Sequence, residues 1–431
     1  MQTTAVLKAL STLPFFHLND LEDFMNTPHC RPGKAADLLR FASVAHRPSP
    51  GSSCSIKEFF MLSLRQAVLC LLMLLFAFSA LAETAVSKRR VEVAFVLDTT
   101  GSMANLIDGA KKKIWSIANA IVDQYPDADI RFALVGYRDI GDEYVTREFP
   151  LTADIQSIYA KLLAFKADGG GDTPESVNEA LDVAVTKLGW SDKSQIKADR
   201  ILFLVGDAPP HMDYKQDRKY PEIIAEAVKK GIIVNTVQAG HDLSTRRIWT
   251  EMASLGKGDY LDIPQDGGRV AVIVTPYDNE ILIIQRKLNL TIIPYGSRVR
   301  QREVESRAEM SAMAPAPVAA DMASFVSKSR KGEAVITGGG DLVADVQEGH
   351  KKLAEVPKNE LPGNMQKMSA NEQAAYLDVK AGERKEFSRQ LEVLVSKRDA
   401  FILEQEKAAS PAPSARSFDT GVKEVLKKQM K

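Results

Sequence analysis

From Val91 onward, apolar positions switch repeatedly between two spacings. Val91–Leu97, VEVAFVL, is a nearly continuous run of β-branched and aromatic residues, the pattern of a strand buried on both faces of a parallel sheet. Ala104–Tyr125 then carries Leu106, Ile107, Ala110, Ile114, Ile117, Ala118, Ile121 and Val122 at helical spacing, with Lys111–Lys113 on the outer face. Strands are predicted at Ile130–Tyr137, Arg200–Val205, Ile232–Val237 and Asp259–Ile263, with a weaker edge strand at Tyr144–Phe149. Helices fall between them at Asp154–Phe165, Glu175–Leu188, Pro221–Lys230 and Ser244–Ser254. This succession predicts an α/β domain over residues 88–266, built on a doubly wound, mostly parallel, six-stranded, Rossmann-like sheet.

The pattern weakens beyond residue 266. Residues 267–305 read as an extension of the domain, with Val270–Val274 and Leu288–Pro294 as strands flanking a helix at Asp278–Arg286. Residues 306–322 have the Ala/Met/Pro composition of a linker. Residues 323–406 form a helical region in which Ser369 and Glu372 make a capping box. There Leu377, Ala381, Leu391, Leu394, Val395 and Ile402 favour a helical hairpin or short coiled coil, although Gly382 and the uneven spacing break a strict heptad. Residues 407–431, with SPAPSARS, read as a flexible tail. At the other end, residues 61–82 combine Arg65, an apolar core and Ala80-Leu81-Ala82, the layout of a signal peptide. Residues 1–60, which precede it, are then a non-native extension from an overlong gene assignment.

Composition narrows the chemistry. The 431 residues are 45% hydrophobic and carry a formal net charge of +0, so nothing marks nucleic acid or an anionic membrane as partner. Cys30, Cys54 and Cys70 all precede the expected cleavage at Ala82, which leaves a mature chain without thiolates. His211, His241 and His350 are too scattered for a zinc site. No Walker loop, Gly-x-Ser-x-Gly or dinucleotide fingerprint follows residue 82.

Oxygen ligands remain. Asp98, Thr100 and Ser102 share a tight turn at the carboxyl end of the first strand, where open α/β sheets place ligands. Thr173 lies in the glycine-rich loop Asp168–Pro174, and Asp207 ends the RILFLV strand. At the switch point of such a sheet the first and fourth strands are neighbours, which gathers these residues. Two carboxylates and three hydroxyls suit a hard cation and leave one octahedral position open. Each residue has a plainer role beside this one. Asp98 can cap the next helix, Thr173 or Asp172 can cap the helix after Pro174, and Asp139, Asp142, Glu143 and His211 can be solvated loop residues.

The strings DTTGS at Asp98–Ser102, GGGDTPES around Thr173 and LFLVGDAPPH around Asp207 resemble a von Willebrand factor A (vWA) domain with a metal-ion-dependent adhesion site. Thr100 stands where that pattern usually has serine. The resemblance implies hydroxyl ligation by Thr100, Ser102 and Thr173, and contact through water from Asp98 and Asp207. It further implies Mg²⁺ (or Mn²⁺ or Ca²⁺), a partner protein that completes the shell with an Asp or Glu carboxylate, and no enzymatic activity. YRDIGDEYVT and GGGDTPESVNEAL are similar to a bacterial secreted subgroup, which implies a periplasmic or extracellular protein with no membrane span once the signal is removed. Self-association would fall to the C-terminal helices. Two other readings stand beside it: a haloacid-dehalogenase-like, Mg²⁺-dependent phosphatase with Asp98 as nucleophile, and an assembly factor working with an AAA-type ATPase.

Overall fold

The computed structural model describes residues 89–171, 173–265, 273–329, 332, 334–408 and 417–430. The expected signal peptide and the segment before it lie outside the described residues.

Strand β1 (Arg90–Asp98) is the centre of the sheet, and Val91, Val93, Ala94 and Val96 have no exposed surface. It pairs in parallel with β2 (Asp129–Tyr137) on one side and β4 (Ala198–Gly206) on the other. Beyond β4 lie β5 (Ile232–Ala239) and β6 (Lys257–Ile263), both parallel, and beyond β2 lies the antiparallel edge strand β3 (Thr146–Thr152). The order β3-β2-β1-β4-β5-β6 is the doubly wound arrangement read from the sequence, with its switch point between β1 and β4.

Because strand side chains alternate, β1 feeds two cores. Val91, Val93, Phe95 and Leu97 face α1 (Ala104–Gln124) and α2 (Ile155–Ala164), while Ala94 and Val96 face α3 (Val177–Thr186), α4 (Tyr220–Lys229) and α5 (Leu243–Leu255). Helix α2 starts where Asp154 accepts the Ser157 amide at 3.0 Å, and α5 where Asp242 accepts that of Thr245 at 2.7 Å.

The C-terminal third departs from its sequence reading at several points. Helix α6 (Asp278–Asn289) is present, but no strand flanks it among the described residues; Pro294 makes only an isolated bridge with Asp341. Residues 270–272 of the expected strand lie outside the described set. Residues 306–322 are not a linker. They finish α7 (Arg298–Met313) and begin α8 (Ala316–Lys328), broken only at Ala314 and Pro315. Ala and Met are strong helix formers, and prolines at a helix start cost no hydrogen bond. Helix α8 then buries Val318, Ala319, Met322 and Phe325 against the sheet-facing core.

Two short helices, α9 (Ala334–Thr337) and α10 (Leu342–Gln347), lead towards α11 (Ala370–Ala408), which is one unbroken helix rather than a hairpin. Leu377, Arg384, Leu391 and Arg398 repeat every seven residues, and all four are buried against the body of the chain. Arg398 reaches Asp278 and Asp321, each at 2.8 Å, and Arg384 reaches Asp341 at 2.6 Å. The face expected to pair in a coiled coil is thus used within the chain.

The expected flexible tail contains a packed helix, α12 (Phe418–Gln429). Phe418 lies 6.2 Å from Phe95 between ring centroids, and Val422, Val425, Leu426 and Met430 join the same core. Burying one such aromatic side chain stabilises by about 1.5–3 kcal/mol, enough to fix the helix on the sheet. Among the described residues no helix is long and apolar enough to cross a membrane.

Candidate functional site

Strands β1 and β4 are neighbours, and at their carboxyl ends Asp98 closes β1 while Asp207 directly follows β4. Asp98 has no exposed surface. Its Oδ1 accepts the Thr100 amide at 2.8 Å and the Thr100 hydroxyl at 2.6 Å, and Thr100 Oγ1 lies 3.2 Å from Ser102 Oγ. Asp98, Thr100 and Ser102 therefore form one hydrogen-bonded group on the turn that follows β1. Asp98 does not cap α1, since the residue preceding that helix is Met103. Its Oδ2 is buried without a hydrogen-bond partner.

Asp207 is half-buried and accepts from Gln265 Nε2 at 2.5 Å. Burial first, and the nearby Asp207 charge second, push the Asp98 carboxyl up to about 7, with the Thr100 hydrogen bonds pulling the other way. Gly206, just before Asp207, is needed for this approach. A Cβ there would strike Tyr137 Oη and lie 3.1 Å from Asp98 Oδ2.

The glycine-rich loop is laced over the first turn. Asp168 donates its amide to Thr99 O at 3.1 Å, and Gly101 donates to Gly169 O at 3.2 Å. Arg138 Nε also donates to Thr99 O, at 3.2 Å. Gly170 has φ +76°, and a Cβ there would sit 2.8 Å from Thr100 Cβ and 3.2 Å from Glu175 Oε1. Only glycine meets both demands. Thr173 itself is exposed and is not part of the hydrogen-bonded group. Nor is it the helix cap, a position held by Ser176 before α3. Its loop is fixed next to Asp207, because Glu175 donates its amide to Pro209 O at 3.0 Å and accepts from His211 at 3.1 Å.

Two features escaped the sequence reading. Glu175, read there as the first residue of a helix, is a buried loop residue whose Oε2 has no hydrogen-bond partner. Burial pushes its carboxyl up to about 9, with the charges of Asp98, Asp139, Asp207 and Asp142 adding to the effect. Asp139 is not a solvated loop residue; it is buried and accepts from Ser176 Oγ at 2.6 Å and Tyr214 Oη at 2.8 Å. His211 is likewise buried. It stacks on Tyr214 at 3.9 Å and turns Nδ1 to Asp213 at 2.8 Å and Nε2 to Asp139 at 3.5 Å. A glutamate two residues after Thr173 was the available signal for the first; the second needs tertiary contacts.

These residues suit a hard divalent cation. The donors are all oxygen: Asp98 has one carboxylate oxygen without a partner and the other bonded to the Thr100 hydroxyl, which in turn neighbours that of Ser102. The neighbouring charges with the largest effect on Asp98 and Glu175 are all carboxylates. Among the described residues no three His, Cys, Asp or Glu side chains close on one point, so such an ion relies on the hydroxyls.

Comparison with known proteins identifies the domain that carries these residues. Residues 92–275 match the family model described as von Willebrand factor A domain, and the chain carries a vWA domain over that span. The von Willebrand factor A domain-containing protein 7 of Rattus norvegicus is 32% identical over 180 residues, 38% of this chain and 19% of that protein. Alpha-protein kinase vwkA of Dictyostelium discoideum is 28% identical over 123 residues, 28% of this chain and 19% of that protein. The chain spans at most about a fifth of the length of the curated relatives it matches. Among solved structures, the SpRpn10 VWA domain aligns at 14% identity with a TM-score of 0.31, covering 42% of this chain and 89% of that one.

Proposed function

We propose that the chain is a secreted, non-enzymatic binding protein that engages a partner protein through a divalent cation, Mg²⁺ in the first instance, held by Asp98, Thr100, Ser102, Thr173 and Asp207. Thr100, Ser102 and Thr173 would offer hydroxyl oxygens, while Asp98 and Asp207 supply the compensating charge. A partner Asp or Glu would complete the shell, so the cation contributes affinity and orientation. The single observation that carries this reading is the fully buried Asp98, with one oxygen fixed by Thr100 and the other left without a partner. A buried, unpaired carboxylate is costly unless an opposite charge meets it. The vWA domain supports a role in protein–protein interaction. The signal-peptide layout of residues 61–82 supports secretion, and with it a periplasmic or extracellular location.

The test is partner capture from a periplasmic extract, with Mg²⁺ and with chelator, using the unmodified chain, Asp98→Ala and Thr173→Ala. The expected outcome is a partner retained only with Mg²⁺ and lost in both variants. Capture that ignores chelator and both substitutions would refute the mechanism. Sequencing the mature N-terminus checks secretion, with a start at Glu83 expected.

A further inference from the structure

We infer that Glu175 is a positioning residue of the cation site, a third carboxylate that strengthens cation binding through its charge rather than as a direct ligand. The inference rests on the cation reading above and goes beyond the five residues assigned there.

Glu175 is 3% exposed, although glutamate is almost never buried without a partner. Its backbone is held on both sides by Pro209 and His211, as a single bridging residue beside the loop that follows Asp207. That bridge fixes where the side chain leaves the backbone, and the side chain is buried. It faces the site. A point only 2.8 Å from Thr100 Cβ is 3.2 Å from Glu175 Oε1, so the two side chains flank the same spot beneath Gly170. The other oxygen, Oε2, finds no donor.

A purely structural glutamate would be expected to find a hydrogen-bond donor here, as Asp139 finds the hydroxyls of Ser176 and Tyr214. Glu175 instead shares its surroundings with Asp98 and Asp207. The three side chains do not close on one point as direct ligands would. Their common effect is a strongly negative recess floored by β1 and β4 and roofed by the glycine-rich loop. A divalent cation entering it draws the three carboxyls into their charged form, so that its two positive charges are then balanced against three negative ones. Glu175 also can accept a hydrogen bond from water carried by the ion, which fixes that water's orientation.

The test is calorimetric titration of the full chain with Mg²⁺ alone, without any partner, for the unmodified chain, Glu175→Gln, Glu175→Asp and Asp98→Ala. One charge acting on a divalent ion at short range is worth about tenfold in affinity. Glu175→Gln, nearly isosteric, is therefore expected to bind about tenfold more weakly. Glu175→Asp keeps the charge and is expected to stay within about threefold of the unmodified chain, although it disturbs packing more than Gln does. Cation-free melting curves check that each variant is folded. Unchanged affinity in Glu175→Gln, or an Asp variant as weak as the Gln variant, overturns the role of Glu175 while leaving the cation reading intact. An unmodified chain that binds no Mg²⁺, or an Asp98→Ala variant that binds it undiminished, overturns the cation reading itself.

Discussion

Asp98 is under two opposed demands: the sheet buries it completely, and its chemistry requires charge. Its carboxyl is raised from 3.8 to about 7, and that of Glu175 from 4.5 to about 9, in each case chiefly by burial. A folded-state value above the unfolded one means that the folded chain holds protons more tightly. The associated stability is full at low pH and is lost as pH rises through the folded values. Cation-free protein is therefore expected to melt at a lower temperature at pH 8 than at pH 5, measured at constant ionic strength. Mg²⁺ affinity should run the other way and rise over the same window, because protons and cation compete for the same oxygens. A cation affinity independent of pH from 5 to 8 would contradict this. The glycine roof gives a second residue-scale prediction. Gly170→Ala forces a Cβ at φ +76° into Thr100, and is expected to cost about 1–3 kcal/mol in chemical denaturation. The DTTGS turn stood out in the sequence as an acid and hydroxyls directly after a buried strand, and only Thr173 and Asp207 beside it favoured a cation site over a cap or a nucleophile. Glu175 and the Asp139–His211–Tyr214 network were not legible there, because their burial is created by backbone bridges between loops that are distant in sequence.

Among the elements, the alternating strands and helices up to β6 were legible because each carries its own period of two or 3.6 residues. Helices α8 and α12 were not. Helix α8 presents a composition of alanine, methionine and proline that flexible segments share, and only its fit against α1 shows its buried face. Helix α12 is short and lysine-rich, and its amphipathic face is meaningful only with Phe95 and Phe203 beneath it. Its contribution is measurable. Phe418→Ala opens a cavity over β1 and is expected to cost about 3–5 kcal/mol in urea denaturation. A loss below about 1 kcal/mol would mean that α12 is not seated there in solution. Helix α11 hid its seven-residue period by placing Arg384 and Arg398 where leucines are expected. Arg398→Ala leaves Asp278 and Asp321 buried without their cation, and is expected to cost about 3–5 kcal/mol and to speed proteolysis within α11.

At the scale of the whole molecule, residues 278–408 form a helical body inserted between the last strand of the sheet and the helix, α12, that returns to cover it. The chain thus closes its sheet with its own far end, tied by Lys113–Asp419 at 3.3 Å and by Asn235 with Gln429 at 2.7 Å. Meanwhile the crevice above β1 and β4 remains at the opposite end of the strands from where α12 finishes, beside Asn235 and Asp259. That arrangement leaves DTTGS, the glycine-rich loop and Asp207 together at the switch point of the sheet. We propose that this crevice holds one divalent cation through Asp98 and its neighbours. The most direct test is Mn²⁺ titration of the full chain followed by electron paramagnetic resonance. One bound ion per chain, displaced by Mg²⁺ and absent in Asp98→Ala, is the predicted result; Mn²⁺ binding that Asp98→Ala leaves unchanged would contradict the account.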